Sequence, residues 1–228
     1  MKMQTYDFGN PDARVVLIEP IHTPEGMDRE ADFIRELSGA DFFLRAVRVD
    51  WFIDLSPWKA PAVFRDTPFG DGAPETLGRI LELAADPGKE YVIGGYSMGG
   101  LFALWASMQT DRFRGAAAVS PSVWFPGFAE YAASRPVRAG QVYLSLGDRE
   151  EKTRNPVMSA VGARIRELHK MICAQGVSCC LEWNEGNHFR DPDLRTAKGF
   201  AWVLKRLHPA AAEISRDETA GSAGEGSD

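Results

Sequence analysis

Glu90-Tyr91-Val92-Ile93-Gly94-Gly95-Tyr96-Ser97-Met98-Gly99-Gly100-Leu101-Phe102-Ala103-Leu104-Trp105 passes from an apolar, β-rich run through a glycine-rich turn into a segment of helical character. A strand that feeds straight into a helix is the repeating unit of a parallel sheet, because parallel neighbours need a crossover connection. The same alternation extends in both directions. Upstream, Arg14 to Glu19 reads as a short buried strand stopped by Pro20. Residues 25–37 place Met27, Phe33, Ile34 and Leu37 at helical spacing, and 42–49 form the next strand. Trp51 to Asp71, rich in proline and aromatics, reads as an ordered loop. Leu77, Ile80, Leu81 and Ala84 mark a helix over 73–85, ended by Asp86-Pro87-Gly88. Downstream, strands are predicted at 115–119, 141–146 and 178–183, and helices at 155–175 and 192–207. The stretch 120–138 is irregular, with one short helix. The pattern predicts an α/β protein, three-layered, with a mostly parallel sheet of about six strands.

Composition narrows the function classes. The chain has 228 residues, 44% hydrophobic and 25% charged, which excludes collagen-like and wholly disordered chains. A net charge of −6 argues against a nucleic-acid binder, which needs excess Lys and Arg, and against docking to an anionic membrane. No apolar run approaches the roughly 18 residues that span a bilayer. The opening Met1-Lys2-Met3-Gln4-Thr5-Tyr6-Asp7 lacks a signal peptide's apolar core, so a cytoplasmic setting is expected. Cys173, Cys179 and Cys180 are then reduced thiols, expected as small buried packing residues rather than zinc ligands. Neighbouring Cys179 and Cys180 should point to opposite faces of a strand. Residues 209–228 lack aromatics and carry five acids against Arg216, a net −4 of the total. They read as a disordered acidic tail after a single domain over 1–208. Nothing in the sequence specifies an oligomeric state.

Gly95-Tyr96-Ser97-Met98-Gly99 has the form G-x-S-x-G, which by chance alone appears in roughly one chain in ten of this length. Its position between strand and helix raises the signal: a serine on that tight turn exposes its hydroxyl, and the helix N-terminus behind it favours a developing oxyanion. A dinucleotide or phosphate loop requires G-x-G-x-x-G or G-K-[ST], and neither fits. A serine hydroxyl needs a base. His169 lies inside a predicted helix, His208 sits at a helix C-terminus, and His22 follows the first strand, within reach of a site. His188 is the strongest candidate, because Asn184-Glu185-Gly186-Asn187-His188-Phe189 follows the last strand, where ligands sit in parallel sheets. The acid should follow the preceding strand. Three carboxylates stand there, Asp148, Glu150 and Glu151, and residue chemistry alone does not choose among them.

The elbow, together with Gly115-Ala116-Ala117-Ala118-Val119-Ser120-Pro121-Ser122-Val123-Trp124, resembles the esterase family of α/β-hydrolases that holds esterase D, the feruloyl esterases, the ferric-siderophore esterases and the mycolyltransferases. The resemblance spans about residues 13 to 207. It implies an α/β-hydrolase fold with a short lid and a triad of Ser97, His188 and an acid at the fourth position of a G-x-x-[DE] turn. That position is Glu150, with Asp148 in reserve. The backbone N–H of Met98 is the first oxyanion donor. No His-Gly-Gly-Gly follows the first strand, so the second donor is drawn from Ile21 or His22. The loop from Trp51 to Phe69, with Trp58, Lys59 and Phe64, is a candidate for the pocket wall, and packing of the loop against the core is the stronger reading for any one of those three residues. The implied activity is cleavage of a small-molecule carboxylic ester, without metal or cofactor. Acyl transfer, or thioester or peptide cleavage, by the same triad is the alternative, and a non-catalytic binding protein of this fold comes third.

Overall fold

The computed structural model describes residues 3–63 and 66–208. The tail expected over 209–228, the first two residues and Phe64 lie outside the described residues. In chain order the elements are β1 (Thr5–Gly9), β2 (Val15–Ile21), α1 (Met27–Ser38), β3 (Phe43–Arg48), α2 (Ala73–Leu83), β4 (Glu90–Tyr96), α3 (Met98–Gln109), β5 (Phe113–Val119), α4 (Phe128–Ala133), β6 (Gln141–Gly147), α5 (Pro156–Ser159), α6 (Val161–Ala174), β7 (Ser178–Asn184) and α7 (Pro192–Leu207). The helix expected over 155–175 is two: Asn155 caps α5 through its side chain, and Ala160 separates it from α6.

The sheet has seven strands in the order β1-β3-β2-β4-β5-β6-β7, rather than about six. The additional strand, β1, runs antiparallel along β3, and the other pairings are parallel. Its sequence, Thr5-Tyr6-Asp7-Phe8-Gly9, has no continuous apolar run because it lies half-exposed at the edge. The inner strands are buried on both faces, and their side chains alternate between two cores. Val15 and Leu17 of β2 pack towards α1 and α7, while Val16 and Ile18 pack towards α2 and α3. The same alternation separates Ala117 and Val119 from Ala116 and Ala118 in β5. Helix α3 is buried from Met98 to Met108, all but its last residue. After β2 the chain adds β3 on one side and then crosses to β4 on the other. That reversal places the carboxyl ends of β2 and β4 beside each other and opens a crevice between them.

One buried pair departs from ordinary core chemistry. Glu19 on β2 and Glu30 on α1 are each 4% exposed, and Oε2 of Glu19 and Oε1 of Glu30 have no hydrogen-bond partner. Burial pushes the Glu19 carboxyl up to about 7, the contact with Glu30 opposing it only in part. Burial and the neighbouring Glu19 raise Glu30 as well. The folded state therefore holds protons that the unfolded chain has released, so stability falls as pH rises from about 4.5 towards 7. Glu30→Gln removes one of the two acids. It is expected to shrink the drop in thermal midpoint between pH 5 and pH 8 by several degrees, read by calorimetry across that range; an unchanged slope would remove the pair as its source.

Candidate active site

Ser97 occupies the tight turn from β4 into α3. Its backbone angles, φ 56° and ψ −114°, lie outside the regions ordinary residues adopt, a strain of about 1–3 kcal/mol held by its surroundings. The Ser97 N–H donates to the Val119 carbonyl at 3.0 Å, and its carbonyl accepts from the N–H groups of Leu101 and Ser122. The turn is too tight for side chains at two glycines. A Cβ on Gly95 would sit 3.0 Å from the Gly99 backbone, and one on Gly100 would sit 3.0 Å from the carbonyl oxygens of Gly95 and Val119. Gly99, the second glycine of the pentapeptide, has slightly more room.

The structure brings Ser97, His188 and Glu150 into one line. His188 Nε2 lies 3.0 Å from Ser97 Oγ, and His188 Nδ1 lies 2.7 Å from Glu150 Oε2. An ionised carboxylate only accepts, so Nδ1 carries the ring proton and Nε2 presents its lone pair to the serine hydroxyl. The other two acids have separate partners. Asp148 Oδ1 accepts from the Gly186 N–H at 2.8 Å and ties the acid turn to the histidine loop. Glu151 pairs with Arg166 on α6. His169 and His208 lie away from the serine: His208 bonds Glu90, and His169 faces Cys173.

Glu150 is only 9% exposed, and its Oε1 collects three donors. These are the Gly147 N–H at 2.7 Å, the Ser120 hydroxyl at 2.8 Å and the buried Arg195 guanidinium at 2.7 Å. Burial alone would raise the carboxyl. The hydrogen bond and charge of His188, with the bonds from Arg195 and Gly147, overcome it and hold Glu150 down at about 2. With Oε1 saturated, Oε2 is left for His188. Arg195 also donates to Ser120 Oγ and to the Asn187 carbonyl, and Tyr96 donates its hydroxyl to the His188 carbonyl at 2.7 Å. Arg195, Ser120 and Tyr96 were not singled out by sequence reasoning. Arg195 reads as one more surface charge on an amphipathic helix, and only its burial shows otherwise. Ser122, from the same Ser-Pro-Ser-x-Trp segment as Ser120, places its Oγ 3.3 Å from Ser97 Oγ.

The serine opens onto a cavity of about 600 Å³ walled by Trp51, Phe52, Trp124, Met158 and Phe189, with His22 and Asp50 at one side. Trp51 and Phe52 come from the loop expected to wall the pocket, but Trp58 and Lys59 do not line it. Trp58 packs edge-on against Phe125 and at a tilt against Tyr131 and donates to the Pro126 carbonyl, and Lys59 pairs with Asp71 at the surface. At the end of β2, the Ile21 side chain packs in the core, and its carbonyl accepts from Val49. The next residue, His22, lines the cavity.

A switch-point crevice with a serine elbow on β4, an acid after β6 and a histidine after β7 is the arrangement of the α/β-hydrolase fold. Solved structures share this architecture. An IroE-like serine hydrolase from Shewanella oneidensis matches with a TM-score of 0.69 over 94% of this chain and 87% of that one, at 14% identity. The siderophore hydrolase EstA from Aspergillus nidulans matches at 0.62 over 90% and 95%, at 19% identity. The enterochelin esterase of Shigella flexneri matches at 0.64 over 90% of this chain and 55% of that one, at 16% identity. At such identities the likeness is one of fold. No protein-family model and no curated sequence matches the chain. Among the described residues no helix is long and apolar enough to cross a membrane.

Proposed function

We propose that the protein is a serine hydrolase that cleaves carboxylic esters through an acyl-enzyme intermediate. The observation that carries this reading is the unbroken relay from Ser97 Oγ through His188 to Glu150, set on a strained elbow at the mouth of an apolar cavity. As Ser97 Oγ attacks the acyl carbon, its proton passes to His188 Nε2. Glu150 stabilises the resulting imidazolium, and His188 then returns the proton to the departing alkoxide. Water, activated by the same histidine, releases the acid. The Met98 N–H at the start of α3 is one oxyanion donor. The other comes from the end of β2. Ile21 is in register with Arg48 and bonds Val49 through its carbonyl, so a parallel ladder also engages its N–H with Val47, which favours the N–H of His22. The reaction needs no metal or cofactor. Three free thiols fit a reducing cytoplasm.

The cavity suits an ester with an apolar, aromatic-sized group, and the solved neighbours named as siderophore hydrolases and an enterochelin esterase support ester cleavage. Covalent labelling tests the reading directly. A fluorophosphonate is expected to form one adduct on Ser97, mapped by peptide mass spectrometry; intact protein without that adduct would overturn the assignment. Phe189 stands 84% exposed with its ring edge-on to His188, 5.5 Å away, so it contributes little to the core. Phe189→Ala is expected to raise KM for an aryl ester by roughly tenfold while leaving the thermal midpoint and kcat near those of the parent. An unchanged KM would take Phe189 out of the substrate wall.

A further inference from the structure

Far from the serine, three soft donor groups converge between α6 and the edge strand β7. His169 and Cys173 lie one turn apart on the same face of α6, and His169 Nε2 is 3.5 Å from Cys173 Sγ. Cys179, the second residue of β7, points to the same side. Strand alternation sends Cys179 to the α6 face and Cys180 to the α7 face. The donor atoms of His169, Cys173 and Cys179 all lie within 4.8 Å of one another. Cys179 and Cys180 are half-buried and pack against the two cores, in keeping with the packing role expected of them, whereas Cys173 is exposed.

We propose that His169, Cys173 and Cys179 form a binding site for a zinc-class divalent cation, with solvent as the fourth ligand. Metal–sulfur bonds of about 2.3 Å and metal–nitrogen bonds of about 2.0–2.1 Å give a tetrahedron with S···N edges near 3.6 Å and an S···S edge near 3.8 Å. The His169–Cys173 pair already has the first of these separations, and closing the rest takes about 1 Å or less of side-chain rotation. One imidazole with two thiols, and no carboxylate, selects zinc-class ions over magnesium or calcium. Each thiol gives up its proton to solvent as its metal–sulfur bond forms, with no change of oxidation state. The exposed side of Cys173 leaves room for the water. The site lies near the start of β7, roughly 17 Å along the strand from the turn that holds the histidine loop. It is therefore separate from the serine chemistry, and an ion bound there would fasten α6 to a strand that has a neighbour on one side only.

Cobalt(II) titration of the reduced full-length protein tests this. One equivalent is expected to give a thiolate-to-cobalt charge-transfer band and the visible bands of tetrahedral cobalt. Cys173→Ser and Cys179→Ser should lose the charge-transfer band or halve it, His169→Ala should weaken binding at least tenfold, and Cys180→Ser should bind as the parent does. Zinc at a hundredfold excess over its dissociation constant should raise the thermal midpoint by roughly 5–10 °C in the parent and not in Cys173→Ser. Absence of the charge-transfer band on protein with three titratable thiols overturns the proposal, as does a band of full strength in Cys173→Ser. Isolation of the chain with Cys173 and Cys179 joined in a disulfide, found as a mass two hydrogens short, also overturns it.

Discussion

Ser97→Ala is expected to hydrolyse an activated aryl ester at least ~10⁴-fold more slowly than the parent, with its thermal midpoint within about 2 °C. The substitution removes only Oγ, which touches His188 Nε2 and Ser122 Oγ. The bonds that hold the elbow all use the Ser97 backbone and survive. Ser122 cannot stand in for it. Its hydroxyl is near Ser97 Oγ, but the histidine lone pair is aimed at Ser97, and Ser122 lacks the position at the head of α3. Any residual rate is expected to come from the proposed oxyanion donors and from binding alone. Steady-state kinetics on the purified variant decide the matter: turnover within tenfold of the parent would take Ser97 out of the chemistry.

Glu150→Gln should have an effect of similar size by a different route. Three donors, from Gly147, Ser120 and Arg195, converge on Oε1. They force the new amide to present its oxygen to them and its NH₂ to His188 Nδ1. An imidazole facing a donor at Nδ1 must accept there, so its proton moves to Nε2 and faces Ser97. The histidine then has no lone pair for the serine proton. A fall in kcat of about 10³–10⁴-fold is expected, with KM changed by a few-fold at most. Stability should drop by about 1–3 kcal/mol, because Arg195 loses its charged partner but keeps an acceptor. The carboxyl held at about 2 also contributes stability that is complete above about 4.5 and lost as pH falls towards 2. Acid unfolding of the variant should therefore be less steep over that window. Asp148→Asn is the control: among the described residues its side chain accepts only from the Gly186 N–H, and kcat should stay within tenfold of the parent. If Asp148→Asn were the damaging change and Glu150→Gln the mild one, the acid would be misassigned.

Some of this was legible along the chain. Hydrophobic period, breakers and the glycine-rich turn are local, so β4, the elbow and α3 could be read from residues 90–109, and the strand–helix alternation followed. Ser97 was legible because a strained turn between strand and helix leaves a signature within five residues. His188 was legible by position, as the histidine that follows the last strand. The acid was not, on residue chemistry: Asp148, Glu150 and Glu151 are equivalent in sequence, and a family resemblance was needed to prefer one.

Tertiary structure decided what depends on residues distant in the chain. Glu150 is the carboxylate that meets His188 because Asp148 is occupied by Gly186 and Glu151 by Arg166. Arg195, 45 residues downstream, holds the Glu150 oxygen that His188 does not use, and no local pattern on an amphipathic helix marks one arginine as buried. Trp51 and Phe52 reach the cavity while Trp58 packs against Phe125 and Tyr131, a choice made by the path of an irregular loop. β1 is a strand because β3 offers it an edge, not because its residues demand one. The meeting of His169, Cys173 and Cys179 needs α6 laid on β7. In each case the sequence supplied a group with the right chemistry, and contact across the fold chose its partner.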